Sequence, residues 1–335
     1  MMPLFSKNSA PMAAMFAAAL FLPLMVGDYY LQFTAKVMLL GILAMSLNLN
    51  VGFGGMVSLC HAAFFGLAGY VLVLVTPEYE APNLVWTLFI ALVVVALVAA
   101  VIGALSLRTR GIYFIMVTLA FGEMLFFLFH DTSIGGGSDG IFLYVKPLLT
   151  LGGLSIDLEN PLTFYIVALV CCALSWALIT HLLASPFGDS LTAARDNERR
   201  AMSLGIPVFA VRLVAFIISA VMAGLAGYMS TAQFGFVAPQ MLGWHMSAVA
   251  LVMVVLGGSR KVTGPLFGAV GLVMLEDILK VYLGEQWKLV YGVVIVALVL
   301  FLPGGLQDIL RMMWPQGLFR RAEPVTQPIV VGGKQ

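Results

Sequence analysis

Long apolar stretches alternate with short polar gaps along this chain, each about 20 residues long, the length an α-helix needs to cross a hydrocarbon layer of ~30 Å. Ten stretches are legible, over 10–26, 31–50, 58–75, 84–107, 112–129, 161–183, 209–232, 241–257, 265–283 and 288–302. The pattern predicts an all-α polytopic membrane protein of about ten transmembrane helices, with a few segments short enough to be tilted, broken or re-entrant. The gaps at 130–160 and 184–208 are too long for turns. Residues 1–310 read as one membrane domain. The stretch 311–335 is basic, then Pro-rich, and reads as a disordered tail. The first apolar run contains Pro11 and Pro23 and no small-x-small cleavage site, so it is expected to remain as an uncleaved span.

Composition sharpens that reading. Apolar residues make up 61% of the chain and charged residues 10%, against about 45–50% and about 25% in soluble domains. A bilayer can absorb that excess of apolar side chains; a soluble core cannot.

The few charges are sorted. With the N-terminus inside and ten crossings, the inner side receives Lys7, Arg108, Arg110, Arg195, Arg199, Arg200, Arg212, Arg260, Lys261, Arg311, Arg320, Arg321 and Lys334. The outer side receives Lys36, Lys146, Lys280 and Lys288, with much of the acid: Asp28, Glu78, Glu80, Asp131, Asp139, Asp157, Glu159 and Glu285. This is a strong positive-inside bias that puts both termini in the cytoplasm. The net charge of +1 gives no reason to expect a nucleic-acid partner.

Candidate chemistry is sparse. His61, His130, His181 and His245 are scattered without metal-ligand spacing, and no GxxxxGK[ST] loop is present. Gly135, Gly137 and Gly140 fit GxGxxG, but they follow a predicted span instead of a strand. Cys60, Cys171 and Cys172 contain no CxxC and read as small apolar residues. No catalytic residue, metal site or cofactor is expected, so any energy for work must come from elsewhere. The repeated Gly66-Leu67-Ala68-Gly69-Tyr70 and Gly224-Leu225-Ala226-Gly227-Tyr228, and the pair Gly264 and Gly268, read as close helix packing.

Three places carry functional expectations. Ala193 to Met202, including Ala194, Arg195, Asp196, Asn197, Glu198 and Ala201, reads as a short amphipathic helix with Leu191, Ala194, Ala201 and Met202 as its apolar positions. Gly205-Ile206-Pro207 would stop it. It suits either docking into a groove on a soluble partner or a solvated inner turn. Glu123 lies inside a predicted span, where a carboxylate marks a pathway or an interhelical bond. Asn48, Asn50, Ser58 and His61 surround Gly52-Phe53-Gly54-Gly55, which reads as a gate or as a tight inner turn.

Four stretches, in this order, resemble the membrane permease subunit of bacterial branched-chain amino-acid ABC transporters. The first runs from Ser46-Leu47-Asn48-Leu49 through Gly52, Gly55 and Ser58-Leu59-Cys60-His61-Ala62-Ala63-Phe64-Phe65-Gly66. The second is Arg110-Gly111-Ile112-Tyr113-Phe114 with Thr118-Leu119-Ala120-Phe121-Gly122-Glu123 and Gly136-Gly137-Ser138-Asp139-Gly140. The third is Arg195-Asp196-Asn197-Glu198 with Ala201 and Gly205, then Ala215-Phe216-Ile217-Ile218-Ser219-Ala220 and Ala223-Gly224-Leu225-Ala226-Gly227. The last is Leu256-Gly257-Gly258, Gly264-Pro265, Gly268-Ala269 and Leu302-Pro303-Gly304-Gly305-Leu306. Cys60 stands where the family usually has glycine, and Ser259-Arg260-Lys261 replaces a more glycine-rich turn.

The resemblance implies a multi-pass subunit of the bacterial cytoplasmic (inner) membrane that is not itself an enzyme and takes part in ATP-driven import of branched-chain or other small amino acids. It implies a second permease subunit, usually a different paralogue, two cytoplasmic ATPase subunits, and a periplasmic or extracellular substrate-binding protein. Residues 191–205 would be the ATPase-coupling helix, and the binding protein would dock on 130–160 and 235–243. Asn48, Ser58, His61 and Glu123 are the expected gate or pathway positions. A urea- or amide-type permease, and an autonomous secondary transporter or channel, stand as rival readings.

Overall fold

The computed structural model describes residues 15–16, 19–24, 26–77, 81–151, 154–156, 158–259 and 261–301. Apolar runs become helices because inside a bilayer each backbone N–H and C=O must be satisfied within its own segment. The helices are α1 (Asp28–Asn48), α2 (His61–Val75), α3 (Leu84–Ser106), α4 (Ile112–His130), α5 (Pro161–Leu183), α6 (Pro186–Asp196), α7 (Glu198–Ser203), α8 (Val208–Phe234), α9 (Trp244–Gly257), α10 (Gly264–Leu283) and α11 (Trp287–Phe301). A π-helical turn over Leu49–Phe53 extends α1. Local signals start several of them: Asn83 Oδ1 accepts from Val85 N, and Asn160 Oδ1 from Leu162 N with Pro161 at the first helical position.

Among the described residues, six helical segments are long and apolar enough to cross a bilayer: Asp28–Phe53, Leu84–Ser106, Ile112–His130, Pro161–Leu183, Val208–Phe234 and Pro239–Gly257. α2 and α11 are apolar but shorter, and α10 carries Glu276, Asp277 and Lys280 near one end. The expected first span lies partly outside the described residues; its described part packs on α5, where Tyr165 donates to the Ala19 carbonyl at 2.7 Å. The expected tail lies wholly outside them.

One boundary differs from expectation for a structural reason. The run from residue 58 becomes helical only at His61, because 54–60 is non-helical. The all-α expectation holds for the described residues, with four short strands formed in the loops. β1 (Ile141–Phe142) pairs antiparallel with β4 (Phe236–Val237), and β2 (Leu149–Leu151) with β3 (Leu154–Ile156).

α8 is the central helix, packed against α1, α2 and α3. Small residues set those contacts. A Cβ on Gly227 would stand 1.8 Å from the Phe65 carbonyl oxygen, and one on Gly69 would stand 2.2 Å from Thr231 Oγ1. The repeated Gly-Leu-Ala-Gly-Tyr is therefore helix-packing chemistry, α2 against α8. The same holds for Gly268, whose Cβ would stand 1.9 Å from the Met253 carbonyl oxygen of α9.

Contacts fix relative direction. Ser46 and Gln32 of α1 meet Ser219 and Gln233 of α8, so these helices are antiparallel. His61 and Gly69 of α2 meet Ser219 and Thr231, so α2 and α8 run parallel. Apolar side chains on the outer flanks of α3, α4 and α11, among them Leu97, Met124 and Val293, remain exposed. In a bilayer such faces meet lipid or another subunit.

Candidate functional site

The chemistry concentrates where α1 ends and α2 begins. The 26 residues of α1 and its π-helical turn rise ~39 Å, whereas the 15 residues of α2 rise only ~22 Å. His61 sits at the level of Ser46, so 54–60 climbs back from the π turn alongside α1. That re-entrant segment is packed in protein: Met56, Ser58 and Cys60 are buried. Its N–H groups find side chains. Leu59 N donates to Thr118 Oγ1 of α4 at 3.3 Å, Cys60 N to Ser58 Oγ at 3.4 Å, and Ala62 N to Ser247 Oγ of α9 at 2.9 Å.

At its centre, Ser219 Oγ of α8 donates to the Ser46 carbonyl at 2.6 Å, and His61 Nε2 lies 2.6 Å from the same oxygen. Ser219 has one proton and Ser46 O can only accept, so His61 Nε2 must be the donor. The Asn50 amide lies 3.3 Å from Nε2 through its nitrogen, while its Oδ1 has no partner. Turning that amide over puts the oxygen toward Nε2–H, whose one proton Ser219 Oγ and Asn50 Oδ1 then share. Asn48 Oδ1 and His61 Nδ1 remain buried acceptors without a partner, each costing about 1–3 kcal/mol. Cys60 fits because it faces Gly122 of α4.

The π turn also meets the segment expected to contact an ATPase. Arg195 Nη1 donates to the Gly52 carbonyl at 2.6 Å, and the Arg195 stem packs on Gly55. Asn48 Nδ2 donates to the Lys261 carbonyl at 3.1 Å. The single expected amphipathic helix is in fact two helices, α6 and α7. Asn197 breaks it with an extended backbone, and its Oδ1 caps α7 by accepting from Arg200 N. Leu191, Ala194 and Ala201 face inward as expected, but Met202 is 48% exposed and is not part of the packed face. Gly205, at φ 82°, ends α7 with bonds from Gly205 N to Met202 O and from Ile206 N to Ala201 O. This is a Schellman stop. Glu198 bridges Arg110 at 2.8 Å and Arg212 at 3.0 Å, and Arg212 also donates to the Ala194 carbonyl. These bonds hold the helix pair to the bundle and leave Arg199 and Arg200 exposed at its apex.

At the opposite end of the bundle, the two segments expected to face a binding protein join. β1 pairs with β4, Leu143 N donates to Gly235 O at 2.9 Å, and the Phe142 and Phe236 rings lie 4.8 Å apart. Tyr144 projects from this platform. Gly135, Gly137 and Gly140 lie in short helical turns here, without the strand and helix that a dinucleotide site requires.

The structure thus places Asn48, Ser58 and His61 around the turn from α1 to α2, where His61 meets Asn50 and Ser219, Ser58 meets Cys60, Asn48 meets the Lys261 carbonyl, and Gly52 accepts from Arg195. Glu123 stands apart: its Oε1 accepts from Trp244 N, the first N–H of α9, at 3.2 Å. Ser46, Ser219, Ser247 and Thr118 were not singled out as site residues. Their only sequence signal is an isolated hydroxyl in an apolar run, which helices commonly spend on their own carbonyls. Among the described residues no group of three or more His, Cys, Asp or Glu could hold a metal.

The described residues are apolar helices packed around a buried polar cluster, with six segments long and apolar enough to cross a membrane. Residues 29–301 match the family described as branched-chain amino acid transport system, permease component, and the chain belongs to that family. It is a multi-pass membrane transport subunit. It is 32% identical over 326 residues to the high-affinity branched-chain amino acid transport system permease protein LivM of Escherichia coli K12, covering 91% of this chain and 76% of that one. The LivM protein of Salmonella typhimurium matches to the same extent. The autoinducer 2 import system permease protein LsrC of Escherichia coli O9:H4 is 32% identical over 181 residues, 49% of this chain and 53% of that one. No solved structure matches.

Proposed function

We propose that this chain is the permease subunit of an ATP-driven importer of branched-chain or other small amino acids, in the bacterial cytoplasmic (inner) membrane. It crosses ten times with both termini in the cytoplasm. It pairs with a second permease subunit in a complex with two cytoplasmic ATPases, seats one of them on α6 and α7, and receives substrate from an external binding protein on the β1–β4 platform. The observation that carries this reading is the bond from Arg195 to Gly52. It ties the helix pair to the π turn and thence to the polar gap around His61, so a push on α6 and α7 reaches the path across the membrane. The LsrC similarity supports a second reading for substrate only, autoinducer 2.

Purification in mild detergent should bring down two ATPase subunits and a second permease. Proteoliposomes holding the complex should take up labelled leucine only with ATP and binding protein. Uptake by this chain alone, without ATPases, would sink the proposal in favour of an autonomous transporter.

A further inference from the structure

We propose that the Ser219 hydroxyl is the latch of the transport gate: it holds the re-entrant start of α2 shut by bridging His61 Nε2 and the Ser46 carbonyl. What passes through rests on the proposed function; the latch rests on geometry. Ser219 lies eleven residues along α8, ~17 Å from its Val208 end and ~22 Å from its Phe234 end, so the bridge sits near mid-membrane. Non-helical backbone at such depth is tolerated only where protein covers it or where it lines a watery cavity. Here Met56, Ser58 and Cys60 are buried, and hydroxyl groups from three helices bond this segment and the first turn of α2 that follows it: Thr118 of α4 to Leu59, Ser219 of α8 to His61 and Ser247 of α9 to Ala62.

The bridge joins α1, α2 and α8 through one atom. Its acceptor on α1 lies just before the change from α to π winding, where the carbonyl ladder loses its regular partners. Around it, Asn48 Oδ1 and His61 Nδ1 are buried and unmatched. Closed packing leaves these acceptors unsatisfied, and water or a solute entering between the helices would satisfy them. The latched state is therefore held by few bonds against an unpaid polar demand, as a gate that must open requires.

Cys60, buried beside His61, reports opening, and Cys172, buried on α5, reports the rest of the fold. The assembled transporter in proteoliposomes is treated with N-ethylmaleimide, and modification at each cysteine is followed by mass spectrometry of peptides. In Ser219→Ala, Cys60 should react about tenfold faster, as expected when a buried hydrogen bond is unmade, while Cys172 keeps its native rate. His61→Leu, removing the other partner, should do the same. In the native protein the Cys60 rate should follow the nucleotide state of the ATPases, and in Ser219→Ala it should be fast in every state. An unchanged Cys60 rate in both variants, or Cys60 and Cys172 rising together in both, overturns the latch. Nucleotide independence in the native protein, with the selective rise in the variants retained, counts against ATP coupling and leaves the latch standing.

Discussion

Single atoms decide much of this protein, and most are too small to stand out in an apolar sequence. Gly227 meets the Phe65 backbone so closely that one methyl group has nowhere to go. Gly227→Ala should cost on the order of 1–3 kcal/mol through forced separation of α2 and α8, visible as a lower melting temperature in detergent; an unchanged melt would mean the contact is slack. Glu123 was read from the sequence as pathway or interhelical bond, and its bond to Trp244 N gives it the second kind of partner. Glu123→Gln keeps an acceptor and should transport normally, whereas Glu123→Leu should lose about 1 kcal/mol of stability as a helix start loses its cap; a Gln variant that binds its partners but transports nothing would restore the pathway role. Asn48, Ser58 and His61 were legible because polar groups beside clustered glycines break the apolar pattern. Ser219 and Ser46 were not, because a serine costs a helix little and leaves no trace in hydropathy.

Helices were legible at nearly their full lengths, since apolar runs end where Asn83, Asn160 and Pro207 begin the next segment. Breaks within elements were harder to see. Periodicity carried one amphipathic helix through Asn197, but a side chain able to cap its own successor makes two short helices cheaper than one. The π winding at Leu49–Phe53 likewise depends on tertiary partners, Arg195 among them, that local sequence does not reveal. Arg195→Glu should leave insertion intact and lower uptake by about tenfold or more, the loss expected when a charge-assisted bond of roughly 1.5 kcal/mol is removed. Full uptake by that variant would take this contact out of the coupling mechanism.

At the scale of the molecule, the sorting of Lys and Arg foretold which loops would share an end, and Arg110, Glu198 and Arg212 do meet there. The pairing of β1 with β4 joins segments nearly a hundred residues apart, and their hydropathy gave no hint of it. Sidedness is open to direct measurement. In a background lacking native cysteines, Asn197→Cys should react only with reagent reaching the cytosol and Tyr144→Cys with impermeant reagent added outside; the reverse pattern would invert the molecule. The backbone contact of Gly227 with Phe65 has one more consequence. It lies eight residues beyond Ser219 on α8, ~12 Å along the axis, and leaves no side chain to compress. With the two backbones already touching, α2 and α8 can press no closer there, so the contact sets the spacing about which the His61 end of α2 would rock.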